Sequence, residues 1–78
     1  MNTGDFFDDI VVDPEVQGGT PVIRGTRVPI AVLLESMAAG DEATAIATAY
    51  EVSIEQVRAA LRYAAHIIRS ERYVALSR

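Results

Sequence analysis

Two arginines, Arg24 and Arg27, stand on either side of Gly25-Thr26 in a run of β-branched residues. The run predicts a two-residue hairpin in which glycine takes the first turn position. In this register the two arginines face each other, and like charges opposite one another destabilise a sheet. Each arginine therefore needs a partner. Three partners are open: an acid of the same fold, such as Glu35 or an N-terminal aspartate, a nucleic-acid phosphate, or a carboxylate of another protein.

Groups that could catalyse a reaction or bind a metal are sparse. The chain has one histidine, His66, and no cysteine. General acid–base catalysis needs a second positioned group, and no metal-ligand spacing surrounds His66. The glycines at 18, 19 and 25 suit turns and do not form a phosphate-binding loop. We therefore predict a binding protein and not an enzyme, with no cofactor and no small-molecule substrate.

Size and hydropathy predict one small domain that associates. A chain of 78 residues buries only a modest core. Half of its residues are hydrophobic, so we expect exposed apolar surface that a second copy covers, in a homodimer. No apolar run reaches the roughly 18 residues of a membrane span, and residues 1–5 lack the basic start of a signal peptide. The expected location is cytoplasmic, without membrane contact.

Charge is unevenly distributed along the chain. The net charge is −4, with acids concentrated before Arg24 and arginines after Ser53. This balance argues against strong nonspecific binding of nucleic acid but leaves a local basic face open. The expected organisation is an acidic, weakly ordered segment at 1–9, a single domain at 10–72 and a tail at 73–78.

Three helices are predicted after Pro29, at about 30–39, at 42–50 and from 54 onward. Gly40 closes the first and Asp41 caps the second, while Ser53 and Gln56 form a capping box at the start of the third. The third helix carries an apolar stripe that we expect to be buried, made by Val57, Leu61, Ala64 and Ile68. Beside it runs a stripe of arginines: Arg58, Arg62, Arg69 and Arg72.

The second and third helices have the residue spacing of a helix-turn-helix. Small and apolar residues stand where the two helices must approach, and Val52 is expected to fill the gap at the turn. Glu51 occupies the position that usually holds glycine, so the turn backbone is expected to differ. The residues predict a small, mainly α domain preceded by a strand or hairpin.

A longer pattern resembles a known family. It consists of Gly19-x-Pro21-Val22-Ile23-x-Gly25-Thr26-Arg27-Val28-Pro29, a helix, Gly40, a second helix, and Val57-x-x-Ala60-Leu61-x-Tyr63-Ala64. This pattern closely resembles the "domain of unknown function 433" family of VapB-like antitoxins, over roughly residues 10–68. The resemblance implies a homeodomain-like or winged-helix-like three-helix bundle preceded by short β-strands. Gly25, Thr26 and Arg27 map onto the family's core motif.

The resemblance also implies a function. The protein would be a type II antitoxin that pairs with a PIN-like ribonuclease toxin, and the antitoxin would bind its own promoter. One departure is the turn at 50–53, where family members often carry proline. A DNA-binding dimer would place the third helix in the major groove. The candidate DNA contacts are Arg24, Thr26, Arg27, Ser53, Gln56, Arg58 and Arg62.

The alternative is a protein-interaction module of the same fold that does not bind DNA. One of its arginines would reach into the acidic, metal-binding site of the PIN-like toxin. The aromatic pair in the acidic N-terminal segment would instead cover a basic surface of that toxin. The candidate partner-binding residues are Phe6, Phe7, Arg69 and Arg72.

Overall fold

A computed structural model describes residues 8–70 of the chain. The predictions made for Phe6, Phe7, Arg72 and the tail at 73–78 lie outside the described residues. The elements in chain order are β1 (Ile10–Val11), a 3-10 turn (Gln17–Gly19), β2 (Val22–Ile23), α1 (Ile30–Ala38), α2 (Ala43–Tyr50) and α3 (Ile54–Ser70). Three helices preceded by two short strands confirm the predicted fold class, a small helical bundle.

The two strands form a short antiparallel sheet. Ile10 pairs with Ile23 and Val11 with Val22. The Arg24 amide donates to the carbonyl of Asp9 at 2.7 Å, which extends the pairing by one step. Since Ile10, Val22 and Ile23 are at most 3% exposed, this small sheet lies against the helices and belongs to the core.

The core lies where the three helices meet. Leu33 of α1, Ile46 of α2 and Val57 of α3 are each at most 1% exposed. Helix α3 packs against both other helices and against β1, so it is the central element. No helix within residues 8–70 combines the length and the apolar character that crossing a bilayer requires.

The apolar stripe predicted to be buried on α3 is largely exposed, which corrects the sequence prediction. Val57 is fully buried and Ala64 is half-buried, but Leu61 is 45% and Ile68 60% exposed. The buried face is made by Val57, Ala59, Ala60 and Tyr63. The cause is the orientation of α3: Leu61 lies beside the buried face and not on it, although Ala60 and Tyr63 on either side of it are buried. After Tyr63, no residue of α3 up to Ser70 is fully buried, so the last turns of the helix add little to the core.

The link between α1 and α2 also differs in one detail. Gly40 ends α1 as predicted, with a φ of +101° that suits glycine. Asp41 does not cap α2. Its amide donates to the Ser36 carbonyl at 3.1 Å, so it still belongs to the end of α1. Glu42 takes the N-cap position, without a side-chain hydrogen bond to the helix.

Candidate functional site

The two arginines lie in a four-residue loop, Arg24-Gly25-Thr26-Arg27, which we call the arginine loop. It follows β2, and the Ile23 amide donates to the Val28 carbonyl at 3.0 Å beneath it. The Thr26 amide donates to the Ile23 carbonyl at 3.0 Å, and Gly25 has a φ of +80°. These values describe a type II turn with Arg24 and Gly25 at its centre. The predicted turn centred on Gly25 and Thr26 is therefore wrong by one residue.

The side chain of Thr26 closes the arginine loop. Its hydroxyl donates to the Ile23 carbonyl at 2.7 Å and accepts from the Val28 amide at 3.0 Å. The hydroxyl thus stands between the amide and the carbonyl that would pair directly in a continuous strand ladder. Both bonds are partly buried, so the loop is held in one shape.

Both arginines are exposed, and neither forms an ion pair within residues 8–70. The Arg24 Nε donates to the backbone carbonyl of Asp8, and the Gln17 side chain donates to the Arg27 carbonyl at 3.3 Å. One of the three open alternatives, an ion pair with Glu35 or with an N-terminal aspartate, is not found in the described part of the chain. The loop therefore presents two charged groups outward.

An open depression of about 600 Å³ lies beside the arginine loop. Its lining combines valine side chains of the N-terminal region with one charged residue of the loop: Val11, Val16, Val22, Gly25, Thr26 and Arg27. An apolar surface next to a guanidinium suits a side chain with an apolar stem and an acidic end.

The turn between α2 and α3 has two features that a helix-turn-helix turn requires, a left-handed residue followed by a buried hydrophobic one. Glu51 has φ +58° and ψ +43°, the left-handed conformation that glycine usually supplies. The next residue, Val52, donates its amide to the Ala47 carbonyl at 3.0 Å and is buried, as predicted. The expectation that glutamate changes the turn backbone is therefore wrong. The chain instead accepts a strained residue at this position.

Replacing Glu51 with glycine will raise the free energy of unfolding by about 0.5–1 kcal/mol. The left-handed conformation costs an L-residue about 1–2 kcal/mol, and the freedom that glycine adds to the unfolded chain offsets part of the gain. Urea denaturation measures the change. The control is Glu51→Ala, which removes the charge but keeps the Cβ and gives no such gain. An equal gain from alanine would trace the effect to the charge.

Residues at the start of α3 bond to one another. Ser53 and Gln56 form the predicted capping box: the Gln56 Oε1 accepts from the Ser53 amide at 2.8 Å, and the Ser53 Oγ accepts from the Gln56 amide at 3.0 Å. Arg58 and Glu55 form an exposed ion pair at 2.9 Å. To contact a base, Gln56 and Arg58 must therefore exchange these bonds for new ones.

Arg62 and Arg69 extend along α3 from the same side as Arg58. Both are exposed, and no carboxylate within residues 8–70 forms an ion pair with either. The structure thus brings three of the predicted helix arginines onto one side of α3. The arginine loop is a separate feature on a different element.

The sequence prediction missed an apolar groove between α1 and α3. The groove has a volume of about 300 Å³, and its walls include Ala31 and Leu34 of α1 with Ala64, Ile67 and Ile68 of α3. The apolar stripe of α3 was the available signal, but it was assigned to the core. The spacing shows that these residues share a side of α3, but not which side of the helix meets the other elements.

Comparisons with known proteins place the chain among uncharacterised relatives. It is 39% identical over 67 residues to the uncharacterized protein y4eO of Sinorhizobium fredii (strain NBRC 101917 / NGR234), which covers 83% of this chain and 30% of y4eO. The crystal structure of Rv2018 from Mycobacterium tuberculosis superposes with a TM-score of 0.67 at 34% identity, over 78% of this chain and 29% of that one. The chain thus spans less than a third of either relative. The family model for the protein of unknown function DUF433 matches residues 10–64. The chain belongs to the DUF433 family.

Proposed function

We propose that the protein is an antitoxin-like regulator that binds a PIN-like ribonuclease through its arginine loop. One observation carries this proposal. Arg24 and Arg27 are exposed in a loop of fixed shape, and neither has a carboxylate partner within residues 8–70. Such a pair of guanidinium groups suits an acidic site on another molecule.

A PIN-like active site offers the matching chemistry, because it holds its metal with a cluster of carboxylates. Arginine binds carboxylates with two parallel hydrogen bonds, and the order of the loop lowers the entropy lost on binding. The depression beside Arg27 has room for a neighbouring side chain of the partner. Binding in this way would occupy the ligands of the metal or block access of RNA.

The comparisons support a domain that acts together with other protein segments. In y4eO and Rv2018, the region similar to this chain makes up 30% and 29% of a longer polypeptide. The domain is thus found joined to further sequence in relatives.

The test is co-expression with the product of the neighbouring gene. We expect the two proteins to co-purify and the chain to suppress growth inhibition by its partner. The double variant Arg24→Ala/Arg27→Ala should bind at least about 30-fold more weakly, since removing one member of a buried charge pair costs about 2 kcal/mol or more. Arg58→Ala is the matched control and should bind normally. A chain that purifies alone and suppresses nothing contradicts the proposal.

The second candidate function is binding to the protein's own promoter. It is favoured by the helix-turn-helix geometry at Glu51 and Val52 and by the arginines on one side of α3. The same set of variants separates the candidates in a gel-shift assay at low salt, where phosphate contacts are strongest. Retardation that Arg58→Ala weakens supports DNA binding. If the promoter fragment is not retarded, DNA binding is excluded and the protein-interaction module is the remaining candidate.

A further inference from the structure

We infer that the depression beside the arginine loop binds an extended peptide segment of the partner, which places one large apolar side chain on the valines and one carboxylate on Arg27. This assignment rests on the proposed function and names the chemistry of the segment that the arginine loop meets. Three features of the described residues support it: a second apolar face of the sheet, a lining with one charged group, and a wall that is joined to the loop.

The two-stranded sheet has apolar side chains on both of its faces. Successive residues of a strand point to opposite faces, so the pairing puts Ile10 and Ile23 on one face and Val11 and Val22 on the other. Both isoleucines pack into the contiguous core cluster, whereas Val22 is 1% exposed but packs outside that cluster. It lies at the depression with Val11 and Val16, which are half-buried. The outer face of the sheet is therefore a separate apolar surface that remains open on one side.

The depression offers a single charged group. Among the described residues that line it, only Arg27 carries a charge. The hydroxyl of Thr26, the other polar side chain of the lining, is already bonded to the Ile23 carbonyl and the Val28 amide. The guanidinium is thus the side-chain group left to bind a polar atom, and it donates hydrogen bonds without accepting any. An acceptor with a negative charge is its best complement.

A peptide carboxylate fits this lining better than the phosphate of a nucleotide. A nucleobase needs hydrogen-bond partners for its edge or an aromatic ring to stack on. The described lining has no aromatic residue, and three of its residues are valines, which suit an apolar side chain such as leucine. In an extended segment, residues two positions apart point the same way. Leucine and aspartate at that spacing present both groups to one surface.

The wall of the depression that carries Val16 is joined to the arginine loop. The Gln17 side chain donates to the Arg27 carbonyl at 3.3 Å, and the Val16 amide donates to the Asp13 carbonyl at 2.8 Å. Gln17 has a φ of +50°, which is uncommon for a residue other than glycine. The valine wall and the guanidinium are thus held side by side, which lowers the entropy that is lost when a segment binds.

Nuclear magnetic resonance of the full chain, titrated with the peptide acetyl-Gly-Leu-Gly-Asp-Gly-amide, tests this assignment. We expect the methyl signals of Val11, Val16 and Val22 to shift together with the Nε signal of Arg27. Exchanging the leucine for serine, or the aspartate for asparagine, should weaken binding by about 10-fold, since each exchange removes one half of the contact. Adenosine monophosphate is the nucleotide probe. The inference is overturned if the peptide shifts none of these signals, or if the nucleotide shifts them more strongly.

Val16→Asp provides the second measurement, made on the complex with the ribonuclease. The new carboxylate removes an apolar contact and competes for Arg27, so binding should weaken by at least about 10-fold. Val12→Asp is the matched control: Val12 is 53% exposed but does not line the depression, so the same change of charge should leave binding normal. Circular dichroism verifies that each variant is folded. Val16→Thr keeps the shape of valine and should weaken binding by a smaller factor.

Failure of this assignment can be told apart from failure of the proposed function. A complex that Arg24→Ala/Arg27→Ala weakens but Val16→Asp leaves intact keeps the arginine loop as the binding site and overturns the inference. A chain that binds the peptide in the depression but forms no complex with the ribonuclease contradicts the proposed function and leaves the depression as a site for acidic peptides.

Discussion

Leu33→Ala will lower the free energy of unfolding by about 2–5 kcal/mol, whereas Leu61→Ala will lower it by less than about 1 kcal/mol. Both changes remove the same atoms from a helical leucine. Leu33 is 0% exposed and packs in the core, while Leu61 is 45% exposed on α3. A domain of this size has about 4–12 kcal/mol of stability in total, so the first change threatens folding.

Urea denaturation measures both leucine variants at one low protein concentration, so that any association contributes equally to both. The comparison decides between two placements of the α3 stripe. Equal losses at the two positions would put Leu61 in the core, as its helical spacing alone predicts. A large loss only at Leu33 agrees with a core made by the other face of α3.

Thr26→Val will lower the free energy of unfolding by about 1–3 kcal/mol, although valine has nearly the same shape as threonine. The change removes the hydroxyl that accepts from the Val28 amide and donates to the Ile23 carbonyl, and it leaves both groups without that partner. Hydrogen exchange at the Val28 amide gives the local measurement. We expect its protection to fall sharply, together with affinity for the ribonuclease that we propose as the partner, because the arginine loop loses its fixed shape.

Thr26→Ser is the control for the hydroxyl. Serine keeps both hydrogen bonds and loses only a methyl group, so amide protection at Val28 should remain close to that of the unaltered protein. If valine protects this amide as well as threonine does, the backbone alone determines the loop. The role of Thr26 in the family motif would then be a direct contact with a partner.

Local features of the fold could be predicted from the sequence because their interactions span fixed, short distances along the chain. The capping box of Ser53 and Gln56 joins residues three positions apart, and Gly40 ends α1 through its own backbone freedom. Val52 fills the helix-turn-helix gap for the same reason. Asp41 does not cap α2 because its amide is bonded to the Ser36 carbonyl at the end of α1. The two adjacent helices compete for this one residue.

Features that depend on packing could not be predicted in this way. Periodicity shows that Leu61 and Ile68 share a face of α3, but not which face of the helix packs against α1, α2 and β1. In the candidate site, too, some features are local and others depend on packing. The sequence identified Arg24 and Arg27, while the loop that holds them depends on a hydroxyl that joins the two ends of the loop, at Ile23 and Val28. Only the tertiary structure shows that no described carboxylate reaches either arginine.

The length of α3 has a consequence for the second candidate function, binding to DNA. Its 17 residues rise about 25 Å, roughly twice the width of the major groove of B-DNA. Only the first turns of α3, which carry Gln56 and Arg58, would then lie within the groove. The arginines further along the helix would reach the sugar-phosphate backbone instead of the base edges.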